Sequence, residues 1–267
     1  MAPPLHQGAY NADMPLSSSD RFLGRVASYA KYRPSYPPAA IDLLEARCGL
    51  KPGADAVDLG SGTGILSALL VKRGARVFGI EPNSEMRTYA DLMLSGELYS
   101  ESGTAENTHM PDGFFDLLVA GQSFHWFDPQ KARLEALRIL KPGAWAALLW
   151  NERPKEAVPF LDDYEALLRR YASEYDEVAR LRAQEDGIHR FFGRPPELAT
   201  FPNQQVLDFE GLKGRLMSAS YAPMPDRPEH EPLMSGLREV FEGHQRDGKV
   251  VFPYRTLVYF GQPGGPA

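Results

Sequence analysis

The stretch Val57-Asp58-Leu59-Gly60-Ser61-Gly62-Thr63-Gly64 constrains this chain more than any other. A buried strand runs into a turn with three glycines at alternate positions, and Ile65-Leu66-Ser67-Ala68-Leu69-Leu70 opens a helix immediately after. Glycine permits the left-handed backbone that a tight turn needs and leaves room for a ligand against the main chain. The helix N-terminus beyond offers amides to a carboxylate or phosphate. A dinucleotide fingerprint would place its third glycine one residue later, where Ile65 stands. A phosphate-cradling loop would need Gly-Lys-Ser/Thr, which this turn lacks. About twenty residues after Gly60, Ile80-Glu81-Pro82 places an acid at the end of a second strand, where it can accept both hydroxyls of a ribose. A nucleoside whose tail carries no pyrophosphate satisfies this pattern better than NAD does.

The rest of the chain alternates in the same rhythm. Residues 21–50 read as a helical segment in two pieces, broken at Arg33-Pro34-Ser35-Tyr36-Pro37-Pro38, with the second piece at Ala39 to Arg47. Strands are expected at 56–59, 76–81, 98–102, 114–120 and 145–150. Helices are expected at 64–73, 84–94 with Ser84 as the cap, and from Asp128-Pro129 to a stop at Lys141-Pro142-Gly143. This order implies an α/β fold with a doubly wound, mostly parallel sheet. After the fifth strand the rhythm changes. A charged amphipathic helix is expected at 160–175, an irregular segment at 190–196, and two last strands at 205–209 and 250–260 with helices 211–217 and 231–244 between them. Residues 152–203 are then expected to be an insertion capping the substrate side, within one domain spanning 21–260. Residues 1–20 are expected to be a disordered leader and 261–267 a disordered tail.

Charge narrows the partners. A net charge of −6 argues against tight binding of nucleic acid, which needs a basic face to displace counterions. No apolar run is long enough for a membrane span, so the expectation is a soluble cytoplasmic protein; whether it is a monomer or a homodimer stays open. Cys48 is the only cysteine, which excludes an intramolecular disulfide, and the histidines show no paired ligand spacing, so no metal is expected.

The D-x-G-x-G-x-G turn followed by Glu81 resembles the class I S-adenosylmethionine-dependent methyltransferases. His125-Trp126-Phe127-Asp128 after the fourth strand, with Tyr32-Arg33-Pro34-Ser35-Tyr36-Pro37, is similar to the branch that holds the type 11 and trans-aconitate methyltransferases. That resemblance implies a Rossmann-like sheet of seven strands with the last antiparallel, S-adenosylmethionine (SAM) as cofactor, and a small-molecule acceptor. A protein or tRNA acceptor, or a SAM-binding module without catalysis, are the alternatives. The implied cofactor-binding residues are Asp58, Gly60, Ser61, Gly62, Gly64, Glu81, Pro82, Met86, Thr104, Ala105, Glu106 and Gln122. Ala105 and Glu106 would hold the adenine, although the family commonly has Asp where Glu106 stands.

Beyond the cofactor, Tyr29, Arg33, Tyr36, Trp126 and Trp150 are candidates for substrate binding. Arg33 suits a carboxylate of cofactor or substrate because its planar fork pairs with either. His125 is the candidate catalytic residue: it can act as a general base, or it can orient substrate, since the sulfonium already carries an activated methyl.

Overall fold

The computed structural model describes residues 26–176 and 185–264. The expected leader, residues 1–20, and the last three residues of the expected tail lie outside them. The elements run α1 (Val26–Tyr32), α2 (Pro38–Arg47), β1 (Asp55–Leu59), α3 (Ile65–Val71), β2 (Arg76–Ile80), α4 (Ser84–Leu94), β3 (Leu98–Glu101) and β4 (Phe115–Gly121). They continue with a 3₁₀ turn (Phe124–Trp126), α5 (Pro129–Ile139), β5 (Leu140–Glu152), α6 (Pro159–Tyr171), α7 (Glu185–Phe192), β6 (Glu197–Leu207), α8 (Phe209–Met217), α9 (His230–His244) and β7 (Val250–Gly261). The strands form one seven-stranded sheet in the order β3-β2-β1-β4-β5-β7-β6. Strands β3, β2, β1, β4 and β5 pair in parallel, and β7 is antiparallel to both β5 and β6. The strand order reverses between β1 and β4, which opens a crevice at the carboxyl ends of these strands.

Alternation along the strands builds the layers. In β4, Leu117 and Val119 face a core with α2 and α3, through Ile41, Leu44, Leu66 and Leu70. Leu118 and Ala120 face the opposite core, against Ala132, Ala136 and Ile139 of α5 and Phe191 and Phe192 of α7. Burial on both faces is what a central parallel strand requires. A third core unites α6, α8, α9 and the first half of β7 through Tyr164, Leu168, Leu212, Leu216, Leu237 and Phe252.

Several local expectations are corrected. Asn83, not Ser84, caps α4: its side-chain oxygen accepts from the Met86 amide at 3.0 Å, and Ser84 is already helical. Lys141-Pro142-Gly143 does not lie between helix and strand, because β5 starts at Leu140. Lys141 precedes proline and is biased to extended backbone, and the pairing with β4 absorbs the misfit through a register shift between Phe115 and Leu117.

Residues 190–192 are helical rather than irregular. Ile188, Phe191 and Phe192 bury one face of α7, and only beyond Gly193 do Pro195 and Pro196 end the regular structure. The strand expected at 205–209 begins at Glu197, so residues 197–203 of the expected insertion belong to the sheet. Pro202 is tolerated there because β6 is the sheet's edge. Phe209 opens α8, capped by Asp208, whose carboxylate accepts from the Gly211 amide at 2.7 Å. The helix of the expected insertion, α6, shares its core with α8 and α9, so residues 159–171 pack together with 209–244. Gly261, expected in the tail, is the last residue of β7, and Gln262 beyond it donates to the Gly143 carbonyl at 2.7 Å.

The turn after β1 has a steric signature that distinguishes its glycines. Gly60 and Gly62 adopt φ of +66° and +56°, in the left-handed region. A Cβ on Gly60 would meet the Ser123 Cβ at 2.5 Å, whereas one on Gly62 would find only the Met86 sulfur at 3.7 Å. Both alanine variants incur the left-handed backbone cost, but Gly60→Ala must also displace Ser123. Gly60→Ala should therefore destabilise the fold by about 1–3 kcal/mol more than Gly62→Ala in denaturant unfolding, and equal losses would refute this packing.

Candidate active site

The Gly60-Ser61-Gly62 turn is fastened to the end of β2, because the Gly60 and Ser61 amides donate to the Ile80 carbonyl at 2.8 and 3.2 Å. Across the crevice the Ser123 hydroxyl donates to the Leu59 carbonyl at 2.7 Å, joining β1 to the loop after β4. Glu81 lies buried at the end of β2. Its Oε2 accepts from the Gly62 amide at 3.0 Å and its Oε1 from the Asn83 amide at 2.8 Å. A carboxylate has about four lone-pair sites, so two acceptor positions remain after these bonds. Burial raises the Glu81 pKa, while the Asn83 and Gly62 amides oppose that rise.

Asp58, at the end of β1, is 1 % exposed. Its Oδ2 accepts from the Ser67 hydroxyl at 2.7 Å, and its Oδ1 has no hydrogen-bond partner among the described residues. Burial pushes the Asp58 carboxyl up to about 7, against the stabilising Ser67 bond.

These groups border two adjoining clefts. The first, about 760 Å³, is lined by Gly60, Gly62, Glu81, Pro82 and Met86 on one side and by Thr104, Ala105, Glu106, Gln122 and Trp126 on the other. The second, about 600 Å³, holds Asp58, Ser61, Arg33 and Tyr36. Tyr29, Gly60, Gly62, Gly121 and Gln122 line both, so the two clefts share one wall. Glu106 Oε1 accepts from the Asp128 amide at 2.8 Å, and Gln122 donates to the Asn151 carbonyl at 3.1 Å from a left-handed backbone with φ +59°. A non-glycine residue held in that region marks local strain, which concentrates at functional sites.

Tyr36 is buried beside Gly121, and burial, with lesser contributions from Tyr29 and Asp58, raises its hydroxyl pKa well above the ordinary tyrosine value. Arg33 stacks over the Tyr29 ring at 4.8 Å and donates to the Ser218 carbonyl at 2.9 Å, tying the N-terminal segment to the end of α8. Asn151 and Asn203 both donate to the Ser35 carbonyl, at 3.2 and 2.7 Å.

Three expected site residues line neither cleft. Gly64 caps α3 with φ +81°, and Leu94 of α4 would be 3.0 Å from a Cβ there. Trp150 is a core residue, edge-on to Phe124 and Tyr259; it faces the layer against α5 and α7 because β5 residues alternate sides. His125 is 7 % exposed in the 3₁₀ turn, its ring 4.7 Å from that of Trp126.

Conversely, Asn83, Ser123 and Phe127 line the first cleft and Thr63, Asn151, Arg215 and Tyr254 the second. Asn151 could have been found as the residue leaving β5 at the sheet's carboxyl end, whereas Arg215 and Tyr254 carry no sequence signal. Among the described residues no cluster of His, Cys, Asp or Glu could hold a metal, and no helix is long and apolar enough to cross a membrane.

A family model for a methyltransferase domain matches residues 57–148, the span from β1 into β5. An uncharacterized methyltransferase of Mycobacterium tuberculosis is 38 % identical over 141 residues, 53 % of this chain and 54 % of that protein. These matches support a class I SAM-dependent methyltransferase. The chain aligns with only about half the length of the mycobacterial relative. An uncharacterized methyltransferase of Schizosaccharomyces pombe is 28 % identical over 236 residues, 88 % of this chain and 93 % of that one. A crystal structure from Anaeromyxobacter dehalogenans, a candidate type II methyltransferase, shares the fold with a TM-score of 0.61 at 20 % identity, covering 86 % of this chain and 98 % of that one. The residues present fit the family's cofactor: a left-handed glycine turn open to the cleft, two buried carboxylates at consecutive strand ends, and an Asp58 oxygen without a partner among the described residues.

Asp58 also imposes a pH signature. Its folded-state pKa of about 7 lies above the ordinary 3.8, so the folded state binds more protons than the unfolded state between these values. Stability from this group is fully present below about pH 4 and is lost as pH rises through about 7. Asp58→Asn should remove this decline, flattening the fall of unfolding free energy by up to about 1.4 kcal/mol per pH unit in that window. Denaturant melts at pH 4.5, 5.5 and 6.5 check it; parallel curves for the two proteins would refute the assignment.

Proposed function

We propose that this chain transfers a methyl group from SAM to an oxygen, nitrogen or carbon nucleophile of a small molecule by in-line displacement. The observation that carries the reading is the convergence of the glycine turn, Glu81 and the Thr104–Glu106 loop on one cleft. Glu81 accepts from the ribose hydroxyls with the lone pairs left over from Gly62 and Asn83. Pro82, Met86, Ala105 and Glu106 enclose the adenosine, and Asp58, Ser61 and Gly62 take the methionine end. The cofactor supplies a methyl already activated on a sulfonium, so alignment of the acceptor is the protein's main task. Tyr29, Arg33, Tyr36 and Trp126 are the residues proposed to align it. The net charge of −6 supports a small molecule over tRNA.

Calorimetry should show binding of S-adenosylhomocysteine and none of NAD, and Glu81→Ala should weaken the former by about 1–3 kcal/mol. NAD binding without S-adenosylhomocysteine binding would refute the reading. Turnover is tested by a panel of carboxylates, phenols and amines scored for S-adenosylhomocysteine release.

His125 we assign as a positioning residue that acts through Trp126, which borders the first cleft while His125 itself does not. His125→Gln should then keep kcat within a few-fold and raise KM, and the pH profile of kcat should match that of the wild type between pH 5 and 8. A fall in single-turnover rate of about a hundredfold, relieved at high pH, would instead show a general base.

A further inference from the structure

The core formed by α6, α8, α9 and β7 takes in cationic side chains. Two arginines enter it, Arg153 after β5 and Arg215 on α8. Arg153 Nη1 donates to Glu165 Oε1 and to the Tyr175 hydroxyl, both at 2.7 Å. Arg215 is 5 % exposed, stacked over the Phe252 ring at 5.0 Å. Its Nε donates to the Tyr254 hydroxyl at 2.8 Å, and that hydroxyl donates onward to Gln205 Oε1 at 2.8 Å. Arg215 Nη1 is buried and has no hydrogen-bond partner among the described residues. Among the described residues Glu165 pairs with Arg153, and no carboxylate pairs with Arg215. A guanidinium stays charged in a protein, and an uncompensated buried charge is strongly unfavourable.

Arg215 and Tyr254 also border the second cleft, which Gly60, Ser61 and Gly62 line as well. Arg215 thus brings a fixed positive charge to the same cleft as the glycine turn. Asp58, the acid lining the same cleft, accepts from Ser67 through Oδ2 and is not paired with Arg215, and burial favours its neutral form.

Resting on the methyltransferase reading, we infer that Arg215 is a specificity-determining residue that anchors a carboxylate of the methyl acceptor, so that the acceptor is an organic acid. The acid's carboxylate takes the Nη1 N–H groups, which have no partner among the described residues, and supplies a counter-charge to the guanidinium. Phe252 and Tyr254 pack against that guanidinium, at 5.0 and 5.8 Å from their ring centroids. A phenol or amine without a carboxylate would leave the charge unpaired and bind poorly.

The test uses the full chain saturated with S-adenosylhomocysteine, titrated with benzoate, cinnamate and succinate and with their neutral amides. At least one acid should bind ten-fold or more tighter than its amide. Arg215→Met should abolish that preference while leaving affinity for S-adenosylhomocysteine within about threefold, and Arg215→Lys should restore part of it. Because the acid-to-amide comparison is made on the wild type, it stands even if Arg215→Met fails to fold. No acid preferred over its amide, or a preference that survives in Arg215→Met, would overturn the inference. A loss of S-adenosylhomocysteine affinity in Arg215→Met would also overturn it, by assigning the arginine to the cofactor's own carboxylate. Failure of the wild type to bind S-adenosylhomocysteine at all would instead refute the methyltransferase reading on which the inference rests.

Discussion

The junction at the carboxyl end of β1 is the constraint on which the rest of the structure depends. Here the Gly60 and Ser61 amides bind the Ile80 carbonyl, and the Leu59 carbonyl receives the Ser123 hydroxyl. Three neighbouring strands, β2, β1 and β4, are locked together where the chain leaves the sheet. The approach is so close that a single methyl group on Gly60 would collide with Ser123. With that contact made, the backbone turns left-handed, α3 starts at Ile65, and Glu81 reaches the Gly62 amide. Removing the junction would leave the cleft without a floor and Glu81 without its orientation.

Burial of carboxylates beside this junction is a stability cost that the fold tolerates at its site. Asp58 and Glu81 are both held where desolvation disfavours their charged forms. Ser67, Gly62 and Asn83 offset part of that cost through hydrogen bonds. Acids kept at a disadvantage and still short of partners are poised to gain from a ligand that carries donors or positive charge. The cap shows the mirror image in Arg215, a buried cation short of partners.

The N-terminal segment links these two ends. Arg33 reaches the Ser218 carbonyl at the end of α8, and the Ser35 carbonyl is held by Asn151 and Asn203 from β5 and β6. Gln205 donates to the Tyr32 carbonyl while accepting from Tyr254, the partner of Arg215. The N-terminal segment is thus bonded to both the sheet and α8, so the shape of the second cleft depends on contacts between residues more than a hundred positions apart.

Sequence alone determined the parallel half of the sheet, the glycine turn, Glu81 and the Thr104–Glu106 loop. Each rests on local rules: the left-handed backbone that glycine permits, burial on both faces of a central strand, and an acid at a strand end. Gly64 and Trp150 misled because motif position and aromatic character do not say which way a side chain faces; strand alternation turned Trp150 into the core. The C-terminal half was read less well, since Ile188, Phe191 and Phe192 form a short apolar face beside two prolines and β6 is an edge strand interrupted by Pro202. Arg215 and Tyr254 were invisible, being ordinary residues on a helix and a strand. Only the tertiary structure brought them to the second cleft, because a buried charge becomes informative when its partners among the described residues can be seen in space.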